Sequence, residues 1–216
     1  MFKNRAEAEL VIGGLSKPSK MPCYGYSISA YRCMRGGELS KIPGSVCHDC
    51  YARKGRYVFP NVQAALERRY EKLQLALSNE TRREEFIDAF VHLLRREEYF
   101  RWHDSGDLQS LDHLELIAYI AAVNDHVMFW LPTKETNIVR QYMHRYARPP
   151  ENLIIRVSAP MVDGAPLNAA GCNTSTVSSN GLMYGTPCLA YTRGGKCGDC
   201  RACWNPDIGN ITYPLH

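Results

Sequence analysis

Cys197, Cys200 and Cys203 stand at three-residue steps, and this C-x2-C-x2-C run is the chain's clearest chemical signal. Three thiolates so spaced on a tight backbone can wrap a four-iron cubane, and Cys188, nine residues upstream, is the natural fourth ligand. Zinc suits the run less well, because its tetrahedral structural sites usually pair two C-x2-C units across a longer spacer. A second set is Cys33, Cys47 and Cys50, followed by the basic stretch Arg53-Lys54-Gly55-Arg56. Cations there favour thiolate over thiol, or anchor an anionic ligand. Cys23 and Cys172 remain and read as free buried thiols; the alternative makes Cys23 the fourth ligand of the Cys33, Cys47 and Cys50 set, which would close that cluster.

Nine cysteines in 216 residues need such an explanation. The start MFKNRAEAEL is polar and lacks the apolar region of an export signal, and the longest apolar run, Leu116 to Val123, is too short to cross a bilayer. The expectation is a soluble cytoplasmic protein, in the host cytoplasm if phage-encoded, where thiols stay reduced and a disulfide framework does not form. With 45% apolar and 22% charged residues the chain is neither disordered nor fibrous. A formal net charge of +4 permits nucleic-acid binding without indicating it.

The elements that must position these thiols alternate in period. Residues 24–31 alternate polar and apolar and predict a strand, followed by the first Cys-bearing loop to about Cys50. Val62, Leu66, Tyr70, Leu73 and Leu77 share a helical face. Thr81 and Glu84 are spaced as a capping box for a second helix that points Phe86, Phe90, Leu93 and Leu94 inward. Residues 99–104 form an aromatic strand ending in the turn-forming Ser105-Gly106-Asp107; Ser110 caps the next helix; residues 127–131 make a buried strand. Ile138, Val139, Tyr142 and Tyr146 mark a further helix that stops before Pro149-Pro150, and residues 153–157 give a fourth strand. This alternation predicts an α/β fold with a parallel sheet curled into a partial (β/α) barrel over residues 1–158. After residue 156 only Asp163, Arg193, Lys196, Asp199, Arg201 and Asp207 carry charge, so residues 159–216 read as an irregular Cys-rich cluster-binding region packed on the barrel.

In parallel sheets ligands bind at the carboxyl ends of the strands. The first Cys loop, Asp104 to Asp107, Thr133-Lys134 and Ser158 all fall there. Asp104 and Asp107 are the candidate catalytic carboxylates, Lys134 reaches for a ligand carboxylate unless it is simply solvated, and Arg156 needs a partner such as Asp104, Asp107 or a ligand. Alternation along the strand puts Arg101 and His103 on one face and Trp102 and Asp104 on the other. His48, inside its C-x2-C unit, either tunes a cluster or is exposed.

With KMPCYGYSISAYRC, CHDCYARKG, FRWHDSGD and CGDCRACW, the chain resembles the Gene product 88 family of phage proteins over nearly its whole length. More distantly, the Cys-bearing loop after strand one and the Gly-acidic turn after strand two resemble radical S-adenosylmethionine enzymes, in which three Cys bind a four-iron cluster with one open iron. That resemblance implies that Gly106 and Asp107 grip the methionine amino group of S-adenosylmethionine. The spacing here is C-x13-C-x2-C where those enzymes have C-x3-C-x2-C, and a longer loop costs little in closure entropy.

The expected function is an iron–sulfur protein with one or two [4Fe–4S] clusters, of radical S-adenosylmethionine type with an auxiliary cluster on Cys188, Cys197, Cys200 and Cys203. Its partners would be an unidentified substrate and an electron donor, with no membrane. The alternatives are a non-catalytic electron-transfer protein with every iron ligated, and a zinc-stabilised module that binds nucleic acid or protein.

Overall fold

The computed structural model describes residues 2–169 and 171–215. Its strands are β1 (Tyr24–Tyr26), β2 (Tyr99–Trp102), β3 (Met128–Thr133), β4 (Leu153–Val162), β5 (Asn173–Ser178), β6 (Thr186–Pro187) and β7 (Asn210–Pro214). All pair in parallel, in the order β1-β2-β3-β4-β5-β7-β6. The sheet is open, as a partial barrel must be, with helices α1 (Arg5–Ile12), α2 (Arg35–Leu39), α3 (Pro60–Ser78), α4 (Glu80–Leu94), α5 (Leu111–Ala122) and α6 (Thr136–Tyr146) around it. Strand β4 runs past residue 158, and β5, β7 and β6 continue the same sheet beyond it. Among the described residues no helix is long and apolar enough to cross a membrane.

The two faces of the sheet do different work. Tyr26, Phe100, Trp102, Phe129, Leu131, Leu153, Ile155 and Val157 face the helices and form the main core with Leu73, Phe86, Phe90 and Ile117. Each such large side chain, fully buried, contributes roughly 1.5–3 kcal/mol. The Tyr26 hydroxyl donates to the carbonyls of Ile12 and Arg69, both at 2.8 Å, and so fastens α1 and α3 to β1. On the opposite face Cys23, Trp130 and Trp204 form a second, smaller cluster with Met21, Tyr99, Met128, Cys203 and Tyr213 packed against it.

Several local expectations change. The first strand is three residues long, because Ser29 accepts the amide of Tyr31 and turns the chain at Ala30–Arg32. The cap of α4 is Asn79, which accepts the Arg82 amide at 3.0 Å, so Thr81 lies inside the helix and not at its start. The helix α1 buries Ala8 and Ile12 and packs Val11 partly against the core, too few apolar positions to be read as a periodic segment. Ser110 caps α5 as its position predicts, accepting from His113 N at 3.1 Å. Strand alternation fails at His103, whose φ of 52° rotates its ring towards the helix side, 5.3 Å from His113 centre to centre. Arg101 therefore meets Asp104, and not His103, across the turn.

Burial pushes the His113 imidazole down to about 3 and holds His103 well below its usual value, with His113 and then Arg101 adding to the effect at His103. Both are neutral in the folded protein. Below about pH 6.5 the unfolded chain takes up protons that the folded chain refuses, so stability falls with pH by at most ~1.4 kcal/mol per unit for each histidine. Urea midpoints measured from pH 7.5 to 5 should decline, and His113→Gln should flatten the decline. An identical profile in that variant would refute this account.

Candidate functional site

The first thiol set lies where β1, β2 and β3 end. Cys33 follows the turn at Ala30–Arg32, and α2 returns the chain past it. The loop is moored at both sides: Arg35 N donates to Glu135 Oε1 at 2.8 Å, while Val46 N donates to Pro160 O at 2.9 Å and Val162 N to Gly44 O at 3.0 Å. A Cβ placed on Gly36 would meet the Cys33 Cβ at 3.1 Å and both the Cys33 and Cys47 sulfurs at 3.6 Å. The absent side chain thus lets α2 pass close against two thiols. Burial first, then the Asp107 carboxylate and the thiols of Cys50 and Cys47, push Cys33 up. Cys47 is raised by burial and eased by Lys134 and Arg53. Lys134 is lowered by burial, against the pull of Cys47, Asp107, Cys50 and Cys33. The half-buried Lys134 ammonium thus acts on all three sequence-predicted thiols, and it also donates to Ala159 O at 3.0 Å.

Asp107 is held by three donors. Its Oδ1 accepts from Thr133 Oγ1 at 2.6 Å and from Leu108 N at 2.8 Å, and its Oδ2 from Lys134 N at 2.8 Å. Burial raises its pKa against those three donors. Gly106, at φ 81°, backs onto β1's continuation, where a Cβ would lie 2.3 Å from Ile28 Cγ1 and 2.8 Å from its carbonyl oxygen. Both residues join the loop after β2 to its neighbours. Asp104 is the more open carboxylate. Arg101 Nη1 contacts its Oδ1 at 2.9 Å, the Tyr57 hydroxyl donates to its Oδ2, and Tyr51 donates to its carbonyl at 2.5 Å. Burial and the adjacent Asp104 charge push the Tyr57 phenol well up. Arg101 also stacks 4.4 Å from the Trp130 ring centre. Tyr57 and Gly36 escape sequence reading because nothing in their local pattern sets them apart from ordinary loop residues. His48 finds the Ser40 carbonyl at 3.1 Å.

The second thiol set is built on β6, β7 and the loop between them. Cys188 N donates to Thr212 O at 2.8 Å, Cys197 N to Lys20 O at 3.0 Å, and Cys200 N to Cys197 O at 3.1 Å. Cys203 Sγ lies 3.2 Å from the Tyr213 hydroxyl, and burial pushes its thiol up to about 11. Cys188 and Cys200 raise Cys197, after burial. Arg156 is completely buried and its partners are neither Asp104, Asp107 nor a ligand. Its guanidinium donates to the carbonyls of Cys203, Thr174, Ile208, Ala202 and Asn205, at 2.8–3.5 Å. Four of the five belong to the loop bearing Cys203, so Arg156 shapes that loop. Cys23, pushed up to about 12 by burial, is next acted on by Arg101 and then Cys197; it belongs beside the second set and does not complete the first. Cys172 packs against the main core, apart from both sets, with only burial raising it.

Among the described residues no group of three His, Cys, Asp or Glu closes round a position for one metal ion. Ligand thiolates of a four-iron cubane stand further apart than those of a mononuclear ion, since each binds a different iron. A model of the Gene product 88 family matches residues 3–206. No curated protein and no solved structure matches the chain.

Arg156→Met should strand five carbonyls and lower stability by at least ~3 kcal/mol, since bonds to a charged donor count for more than neutral ones. Trypsin should then cut at Arg201 faster than in the parent. Unchanged cleavage and an unchanged urea midpoint would show that the guanidinium does not hold the loop.

Proposed function

The chain belongs to the Gene product 88 family, and we propose that it is an iron–sulfur protein with two centres. Cys33, Cys47 and Cys50 ligate one [4Fe–4S] cluster at the carboxyl ends of the strands; Cys188, Cys197, Cys200 and Cys203 ligate the other. The observation that carries this reading is that the thiols of Cys33 and Cys47, from separate points of one loop, both lie at contact distance from Gly36, with Cys50 and Lys134 near enough to act on them.

Free thiols crowded in this way stay protonated, because burial and mutual repulsion oppose ionisation. Metal binding must expel those protons, and the Lys134 ammonium and Arg53 guanidinium then offset the thiolate charge. Three protein thiolates would leave one iron of the first cluster without a protein ligand, and such a cluster supplies one-electron chemistry and an open coordination position. Beside this pocket Arg101 holds the Asp104 carboxylate and Tyr57 donates to it, which keeps an ordered acceptor at the mouth. At the turn expected to hold S-adenosylmethionine, Asp107 Oδ1 accepts two donors and Oδ2 one, so the carboxylate keeps a lone pair for one further donor, and Gly106 lies against Ile28. The second set, with four thiols, suits a fully ligated cluster that passes electrons.

Protein purified without oxygen should carry about eight irons and as many sulfides, as two four-iron clusters require. Gly36→Val, which crowds Cys33 and Cys47, should halve that count while leaving the circular dichroism unchanged, and Cys197→Ala with Cys200→Ala should halve it independently. Colourless protein with stoichiometric zinc would overturn the proposal.

A further inference from the structure

The second thiol set reaches the surface through Cys200, which is exposed, while Cys188 and Cys197, like the three thiols of the first set, are partly so. Round the second set the chain presents apolar side chains to water: Leu189 is 44% exposed and Tyr191 58%, with Leu182, Met183 and Tyr184 also exposed shortly before Cys188. Solvent-facing aromatic and Met side chains with Arg nearby are the composition of a protein interface and not of an idle surface. The charges here are predominantly positive. Lys20, hydrogen-bonded through its carbonyl to Cys197 N, lays its ammonium beside Gly195. Arg193 Nε reaches the Lys196 carbonyl at 3.3 Å, and Arg201 Nη1 the carbonyls of Gly198 and Cys200 at 2.6 and 3.0 Å. Lys20, Arg193, Lys196 and Arg201 form no ion pair with a carboxylate among the described residues, and Asp199 is the one acidic residue between Cys188 and Cys203.

We infer that this surface docks an acidic one-electron carrier protein, with its redox group over Cys188, Cys197 and Cys200. The inference rests on the two-centre reading and adds the partner and its place. Charge complementarity decides the sign of the partner: four unpaired cations steer a negatively charged surface into an encounter and the apolar side chains then seat it. A nucleic acid is the poorer match, since its binding draws on many phosphate contacts and this surface is mostly uncharged between its cations. In the step that follows, one electron leaves the reduced carrier and enters the C-terminal cluster; no covalent bond forms or breaks and no proton is transferred. The fully ligated centre is then the entry point for electrons.

The test uses the cluster-loaded full chain and, as probe, a dithionite-reduced acidic plant-type ferredoxin freed of excess reductant. Stopped-flow reduction should slow at least tenfold from 20 to 300 mM salt and at least tenfold in Arg193→Glu with Lys196→Glu, at unchanged iron content. Lys3→Glu with Arg148→Glu, away from this surface, should reduce at the parental rate. If the double reversal loses iron, the salt dependence of the parent and the variant Lys20→Glu decide. Equal rates in parent and variants at full iron content would overturn the docking surface and leave the two-centre reading standing. Parent protein without iron would overturn both. Tight binding of a DNA oligonucleotide that the reversal abolishes, with ferredoxin reduction unaffected, would reassign the surface to nucleic acid.

Discussion

Every strand pair in this sheet is parallel, and that constraint governs where chemistry can sit. A parallel strand can be followed by its neighbour only after the chain has crossed back outside the sheet. The crossings bury one face of the sheet under helices and bring the departing loops to one end. The first cysteine loop, the turn at 103–108 and the start of α6 meet there because the topology leaves them nowhere else to go. Asp107 exploits the meeting: a carboxylate from the loop after β2 accepts the hydroxyl and amide that follow β3, and so ties two adjacent strand ends together.

The face of the sheet away from the helices poses a different problem. Arg101 and Arg156 both project from strands into a poorly solvated space, where an unpaired guanidinium would be costly. Each is met differently. Arg101 finds Asp104, Met21 and the Trp130 ring, and it stands beside the first pocket. Arg156 is answered by backbone carbonyls alone, most of them from the C-terminal cysteine loop. A buried cation thus takes the place of a hydrophobic core in shaping a segment that has little apolar material of its own, and Trp204, whose indole donates to Phe100 O at 2.8 Å, adds the one large anchor.

The helices could be read from the chain because their signals are local. Leu66 and Leu73 on α3, the four inward residues of α4 and the Ser110 cap of α5 follow from helical spacing and the hydrogen bond a serine side chain offers. Boundaries were less readable where two local signals competed. Asn79 ends α3 and caps α4 at once, which made the nearby Thr81–Glu84 spacing look like a start. His103 breaks the strand alternation through a positive φ that its residue type does not announce. The strands of the last quarter are rich in Ser, Thr and Asn and have no period to betray them; they are strands because β4 offers an edge to pair with.

What the linear order of residues settled was the class of fold, because alternating periods specify helices and strands. What only the folded arrangement decided was the partner of each charged group. Asp107 turned out to hold strands, Arg156 to hold a loop, and Lys134 to face three sulfurs from a loop whose closest member, Cys50, lies more than eighty residues earlier. Such pairings depend on desolvation and on contacts between segments distant in the chain, and no single position carries a mark of the residue it will meet.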